Sequence, residues 1–439
     1  MSGSEPDEKQ AAEPEAPRTS RFKGVLADTR PLQIPEYRRL FIGGAVTVVG
    51  SQMTAVVVLQ EIFSITQNSA WVGAASLVAL VPLIAFGLIG GAIADTYDRR
   101  KVMIITTIGV ALSSIGLWVQ ALVGLHSVWV IFALLAVQQG MFAVNSPTRA
   151  AIIPRIVPAH LVPAANALNM TVFSVGVIVG PLLVGLLLPL MNLSWIYFID
   201  AITLSAVLYA AIRLPALPPA GTSTTRASVR EGLGYLRGRD ILLMTFVVDI
   251  IAMVFGMPRA LFPEMAQHTF GGPDGGGIQL GLLNAGMAIG ALIGGLTSGW
   301  LQHIRRQGIA IVAAIVIWGL AMVGMGVSGL LWMAVFFLAV GGWADMVSAV
   351  FRTTILQVAA TDEMRGRLQG VFLVVVAGGP RLADMLHGLA ADWSSTAVAV
   401  TGGGVLVIIG VLVAVSLRPA LLKYDARAAE NAAAPVPHT

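Results

Sequence analysis

The chain has no cysteine and little charge. Without a Cys among its 439 residues, disulfides, thiolate metal sites and thiol nucleophiles are excluded. Charged residues make up only 11%, against roughly 25% in soluble domains, so most of the chain is not built to face water. The six His lack metal-ligand spacing, and no nucleophile stands with a partnered base. The glycine-rich stretches at 271–277 and 402–404 lack the Lys-Ser/Thr of a phosphate loop. These absences argue against an enzyme, a cofactor and a resident metal. The net charge of +4 does not point to nucleic acid, because the bases lie in short loops between apolar runs. The first 30 residues are acidic-rich (Glu5, Asp7, Glu8, Glu13, Glu15) and have no basic stretch followed by an apolar core, so no cleaved signal peptide is expected.

What is present is apolar: 56% hydrophobic residues and mean hydropathy +0.82. A membrane-spanning helix needs about 20 mostly apolar residues. Twelve such runs are found, at 40–64, 71–92, 102–123, 128–147, 162–190, 195–213, 241–265, 278–302, 309–327, 330–351, 368–391 and 395–417. The expected class is an all-α membrane protein of two six-helix bundles, 36–213 and 241–418. A linker at 214–240, rich in Pro and Thr and then Arg, joins them, and part of it is read as a surface amphipathic helix. Tails at 1–35 and 419–439 are read as disordered. With both ends inside, every Lys and Arg of the 27 except Arg259 and Arg381 falls on the cytoplasmic side, as the positive-inside rule requires. The halves repeat: Leu88-Ile-Gly-Gly91 recurs as Leu292-Ile-Gly-Gly295, Arg149-Ala-Ala-Ile152 as Arg352-Thr-Thr-Ile355, and Gly180-Pro181 as Gly379-Pro380. Solutes in six-plus-six folds bind near the midplane between the halves.

The loop Gly91-Ala-Ile-Ala-Asp95-Thr-Tyr-Asp98-Arg99-Arg100-Lys101, with Ser146-Pro-Thr-Arg149 and Ala165-Asn166-Ala167-Leu168, resembles the major facilitator superfamily. Residues 35–420 are similar to its drug and siderophore exporter branch, which includes macrolide efflux pumps. Thr96 stands where that branch often has a base. The resemblance implies a transporter that alternates between inward-open and outward-open states, with Gly91, Asp95, Asp98, Arg99, Arg100 and Arg149 in a cytoplasmic gate. Gly176, Gly180, Pro181 and Gly185 resemble part of the antiporter motif of this superfamily; generic small-residue packing is the alternative. The implied activity is export of drugs or a siderophore-like metabolite by proton antiport, driven by the proton gradient, from a monomer in the bacterial cytoplasmic membrane. Uptake of a sugar or organic acid, or a lipid-moving or ligand-sensing role, stays open.

Ionisable residues inside spans are costly and face a partner or a wet cavity. Asp249 and Asp345 are candidates for proton coupling, with structural pairing to a neighbouring helix or to Arg352 as the alternative. Arg381, Asp384 and His387 share one helix face by their spacing of three; they form either a self-satisfied ion pair or a cavity relay, in which Arg381 would attract an anion. Glu61 is a proton site or outer gate, or is simply solvated at the interface, and Asp200 is read as packing. Gln52, Gln138, Gln139, Asn145, Met253, Phe255 and Trp343 are the expected cavity wall, suited to a large amphipathic molecule. The same aromatic and Met side chains would also suit a lipid-facing or core position.

Overall fold

The computed structural model describes residues 28–218, 234–359 and 362–425. Within these, the side chains at 88, 91–92, 94–95, 359, 362–367 and 369–374 lie outside the description. The described chain is helical, with twelve long helices and no strand. The first six are α1 (Pro35–Thr66), α2 (Ser69–Thr96), α3 (Arg99–Val123), α4 (Val128–Ile156), α5 (Val162–Leu187) and α6 (Leu193–Ile212). The second six are α7 (Asp240–Phe255), α8 (Gly277–Leu296), α9 (Gln307–Val327), α10 (Leu331–Ala359), α11 (Asp362–Trp393) and α12 (Thr396–Leu417). Eleven helical stretches among the described residues are long and apolar enough to cross a membrane. The remaining helix, α11, is 32 residues long and carries Arg381, Asp384 and His387.

Local chemistry places the ends of these helices. The Asn68 side chain accepts a hydrogen bond from Ala70 N at 2.7 Å and Asp98 accepts one from Arg100 N at 2.9 Å. Each supplies an acceptor to a first-turn N–H that has no intrahelical partner. α3 stops at Gly124, whose φ of 68° is the left-handed cap that glycine adopts without strain. Outward faces carry Leu122, Trp129 and Phe336, all exposed, as a lipid-facing surface requires.

The packing repeats six helices on. α1 packs on α5 and α6, α2 on α4, and α3 on α4 and α6; likewise α7 packs on α11 and α12, α8 on α10, and α9 on α10 and α12. Two seams join the halves, α2 on α11 and α5 on α8, and each is the counterpart of the other under the same offset. This is the arrangement of a pseudo-two-fold pair of six-helix bundles.

The structure departs from the sequence expectations in several places. Helices α1, α4, α10 and α11 run beyond the apolar runs, α4 as far as Ile156 through Pro147 and Pro154. Residues 28–34 are ordered: Arg30–Gln33 form a 3-10 turn, and Leu32 and Ile34 pack near Tyr37, Ile153 and Leu161. After α12, Leu421 is fully buried. The amphipathic helix read into the linker falls largely on 219–233, outside the described residues, as do the tails at 1–27 and 426–439. The largest departure is the seventh span. It is not one helix over 241–265: α7 stops at Phe255, and a 3-10 turn (Arg259–Leu261), a short helical turn and a π-turn (Met265–Thr269) carry the chain on. Pro258 has no N–H to continue the ladder and its ring obstructs the preceding turn, so the run breaks at Gly256-Met257-Pro258.

Candidate functional site

Between the halves, near the middle of the bundle, lies a cavity of about 380 Å³. Its wall comes from α1 (Ser51, Gln52, Thr54), α2 (Ser76), α4 (Gln138, Gln139, Phe142), α5 (Val177, Pro181), the break after α7 (Arg259), α8 (Asn284) and α11 (Arg381, Asp384). One end of the bundle, marked by Asn68, is sealed. There Asn68 Nδ2 donates to Asp392 Oδ1 at 2.6 Å and Ser69 Oγ donates to Glu264 Oε2, while the Phe63 and His268 rings meet edge to face. The α5–α8 seam closes backbone on backbone: a methyl on Gly185 would lie 3.0 Å from Gly277 O. Towards the opposite, Asp98 end, Val81, Phe86 and Ile89 of α2 are exposed. Among the described residues, the hydrogen bonds that cross between the halves all lie at the cavity or towards the Asn68 end.

The break after α7 builds the polar centre of this wall. It frees Ala260 N, which donates to Asp384 Oδ1 at 3.1 Å, and it leaves Gly256 O to accept from Trp318 Nε1 at 3.1 Å. Asp384 Oδ2 accepts from Ser76 Oγ of the other half at 2.6 Å. Asp384 thus takes its described hydrogen bonds from two other elements and not from Arg381. Arg381 donates to Ala377 O at 2.9 Å and, across the cavity, to Gln139 Oε1 at 3.2 Å. Arg259 is exposed on the cavity wall. Two guanidiniums therefore face the cavity with one carboxylate that is already engaged. His387 does not line it: the side chain is buried, with Nδ1 2.9 Å from Ala383 O.

Asp249 and Asp345 also lie away from this cavity. Asp249 is 1% exposed and 2.8 Å from Arg352; Asp345 stands 3.6 Å from the same guanidinium. Arg352 also donates to Ser348 Oγ at 3.1 Å. The sequence repeat pairs Arg352 with Arg149, yet among the described residues no carboxylate forms an ion pair with Arg149. Its guanidinium contacts Leu40 O at 3.5 Å and packs over Gly44 of α1.

Glu61 is not at a solvated interface. It is buried within the first half, where Tyr197 Oη donates to Oε2 at 2.6 Å and Gln120 Nε2 donates to Oε1 at 2.7 Å. Asp200 is buried as well, with Ser114 Oγ donating to Oδ2 at 2.8 Å and Gln138 donating to that serine at 3.1 Å.

Of the expected substrate residues, Gln52, Gln138 and Arg381 line the cavity. Asn145, Phe255 and Trp343 do not. Asn145 donates to the Thr106 and Thr107 hydroxyls at 2.8 and 3.1 Å, between α3 and α4. Phe255 packs against the core, and Trp343 stacks on Trp300. Sequence position fixed the span but not the face, and these three faces turn to neighbouring helices. Arg259 and Ser76 were not assigned to the cavity from sequence. The signal for Arg259 was its place as one of two bases outside the loops.

Asp98, Arg99 and Arg100 each make contacts within their own half. Asp98 accepts from Leu217 N at 3.3 Å, Arg99 N donates to Leu217 O at 3.1 Å, and Arg100 donates to Ile212 O at 2.6 Å. Gly91 and Asp95 lie in α2, their side chains outside the description. In α5, a Cβ on Gly176 would strike Val48 of α1, and one on Gly180 would lie 2.6 Å from Gln52 Cβ. Gly185 serves the α5–α8 seam, and Pro181 lines the cavity.

Among the described residues no trio of His, Asp or Glu could hold a metal. A family described as "transmembrane secretion effector" matches residues 27–438. The chain is 30% identical to the enterobactin exporter EntS of Escherichia coli O81 (strain ED1a), over 86% of this chain and 91% of that protein. In structure it is similar to the nucleoside transporter NupG (TM-score 0.70, 14% identity, covering 89% of this chain and 99% of that one). It is also similar to a bacterial homologue of the lysosomal transporter Spinster in an inward-facing, unoccupied conformation (TM-score 0.66, 14% identity, 90% and 97%). At such identities the solved structures show the fold.

Proposed function

We propose that this chain, which belongs to the transmembrane secretion effector family of the major facilitator superfamily, carries an amphipathic organic anion out of a bacterial cell in exchange for protons. It is a multi-pass membrane transporter. The exporter reading adds a direction, a coupling ion and a substrate class. The observation that carries it is the pair of guanidiniums, Arg259 and Arg381, facing an otherwise amide and apolar cavity whose one carboxylate is already engaged. Such a wall favours a ligand with anionic groups on an aromatic or apolar body. A catecholate siderophore of the kind its E. coli relative is named for has this chemistry, and so do acidic drugs.

The distribution of bases supports placing the termini and the Asp98 loop in the cytoplasm, and in this reading the cavity is loaded from that side. Substrate enters there, and the Asn68 end then opens while the other closes. Asp249 and Asp345 share one arginine, so the cluster carries one more carboxylate than cation. It is a candidate place for the exchanged proton, alongside Asp384 and Glu61. Gly176, Gly180 and Gly185 let α5 run against α1 and α8 while the halves rock. The transporter acts as a monomer in the cytoplasmic membrane.

The test uses inside-out vesicles with an imposed pH gradient, offered enterobactin or the cationic dye ethidium. Gradient-driven accumulation of enterobactin, weakened about tenfold or more by Arg259→Gln or Arg381→Gln, supports the reading, because a hydrogen bond to a charged group is worth about 1.5–3 kcal/mol. Accumulation of ethidium alone, or uptake in right-side-out vesicles, refutes it.

A further inference from the structure

Asp200 plays no part in substrate binding as described above, yet it is a carboxylate built into the wall behind the cavity. It is 1% exposed and sits where α1, α3 and α6 meet. Gly50 of α1 makes room for it: a methyl there would lie 2.9 Å from Oδ1. The titratable groups facing this pocket are Tyr197, one turn earlier on α6, and Glu61 of α1, to which Tyr197 donates. α3 contributes only the Ser114 hydroxyl, and no cation pairs with Asp200 among the described residues. An ionised carboxylate so placed is a charge out of water with no partner of opposite sign, an arrangement proteins rarely keep for stability alone.

Its two oxygens are treated differently. Oδ2 accepts from Ser114, which in turn accepts from Gln138 on the cavity wall. Oδ1 has no hydrogen bond from any group other than the Thr54 hydroxyl. The buried Thr54 hydroxyl interacts with this carboxylate and has no other hydrogen-bond partner. Thr54 also lines the cavity. A threonine hydroxyl serves either state of Oδ1, donating to it when the carboxylate is ionised and accepting from it when Oδ1 carries a proton, so this pair can pass a proton without leaving either atom unsatisfied.

We propose that Asp200 is a proton-exchange site of the first half, reached from the cavity through the Thr54 hydroxyl and positioned by the Gln138–Ser114 chain. The proton comes from water in the cavity, passes through the threonine hydroxyl to Oδ1, and returns to water on the other side once the halves have rocked. The inference rests on the proton-antiport reading above.

The experiment reconstitutes the full chain in proteoliposomes and follows enterobactin in two modes, gradient-driven accumulation and equilibrium exchange at equal pH. Asp200→Asn is expected to lower accumulation tenfold or more and exchange by no more than about threefold, while Asp200→Glu restores part of the accumulation. Thr54→Val keeps the volume and the carboxylate and is expected to slow accumulation at least threefold, with a shifted pH profile. Accumulation unchanged in Asp200→Asn overturns the proposal, and so does an equal loss in both modes, which marks a packing role. If Asp200→Asn does not insert, a Thr54→Val variant with unaltered accumulation and pH profile overturns it. Wild-type protein that exchanges enterobactin but ignores the gradient refutes proton antiport itself, an outcome distinct from failure at Asp200.

Discussion

A single methyl group at the α5–α8 seam should shift the balance between the two states of this transporter. In Gly281→Ala the new Cβ would lie 2.7 Å from Pro181 O and 3.2 Å from Gly185 Cα. Both neighbours are backbone, so no rotamer change relieves the contact. Restoring ordinary van der Waals separation needs the helices to part by roughly 0.7 Å. Overpacking of this kind costs about 1–3 kcal/mol. The helix-propensity gain of Ala over Gly, about 1 kcal/mol, applies in both states and cancels. A penalty confined to the state sealed at the Asn68 end shifts the equilibrium away from it by about 5- to 150-fold. The absence of cysteine makes the assay direct. Spin labels at Asn192→Cys and Asp274→Cys, both exposed near this end, report the separation of the halves by pulsed electron resonance. Gly281→Ala should enrich the longer distances and raise maleimide labelling of a cavity cysteine at Asn284 from the Asn68 side. An unchanged distance distribution would refute the claim that backbone contact at this seam holds the end shut.

Other perturbations follow from the buried polar groups. Asp249→Asn should lower stability by about 3–5 kcal/mol, because it strips the 2.8 Å partner from a buried Arg352; Asp345→Asn, at 3.6 Å and 26% exposed, should cost less than half of that, and equal shifts in thermal unfolding would contradict the pairing. Tyr197→Phe removes the 2.6 Å donor to Glu61 and should destabilise by about 1–3 kcal/mol, with substrate exchange kept; loss of exchange at full stability would give Glu61 a transport role instead. Trp318→Phe removes the donor to Gly256 O and should cost about 1–3 kcal/mol, read as an earlier unfolding midpoint and faster proteolysis near the α7 break.

The sequence alone determined the class, the number of long helices and their order. In lipid every backbone polar group must be satisfied within its own segment, so the length of an apolar run is nearly a structural measurement. The repeat was legible too, because Arg149 and Arg352, and Pro181 and Pro380, recur at similar offsets of 203 and 199 residues. The faces of the helices were not legible. A membrane helix is apolar towards lipid and towards its neighbours, so periodicity does not say which side meets the cavity. Gln52 and Gln138 reach it, whereas Asn145, Phe255 and Trp343 turn into helix contacts. Partners far apart in sequence were equally hidden. Glu61 looked interfacial by its place in the run, but Tyr197, 136 residues away, buries and satisfies it. Arg352 seemed tied to Asp345 on its own helix, yet Asp249 of α7 lies closer. The seventh span read as one run over 241–265; only the fold showed its break at Pro258 and that the freed Ala260 N–H is used to hold Asp384. Length and hydropathy are local properties of the chain, while a charge in a low-dielectric interior is decided by whatever the fold brings within a few ångströms of it.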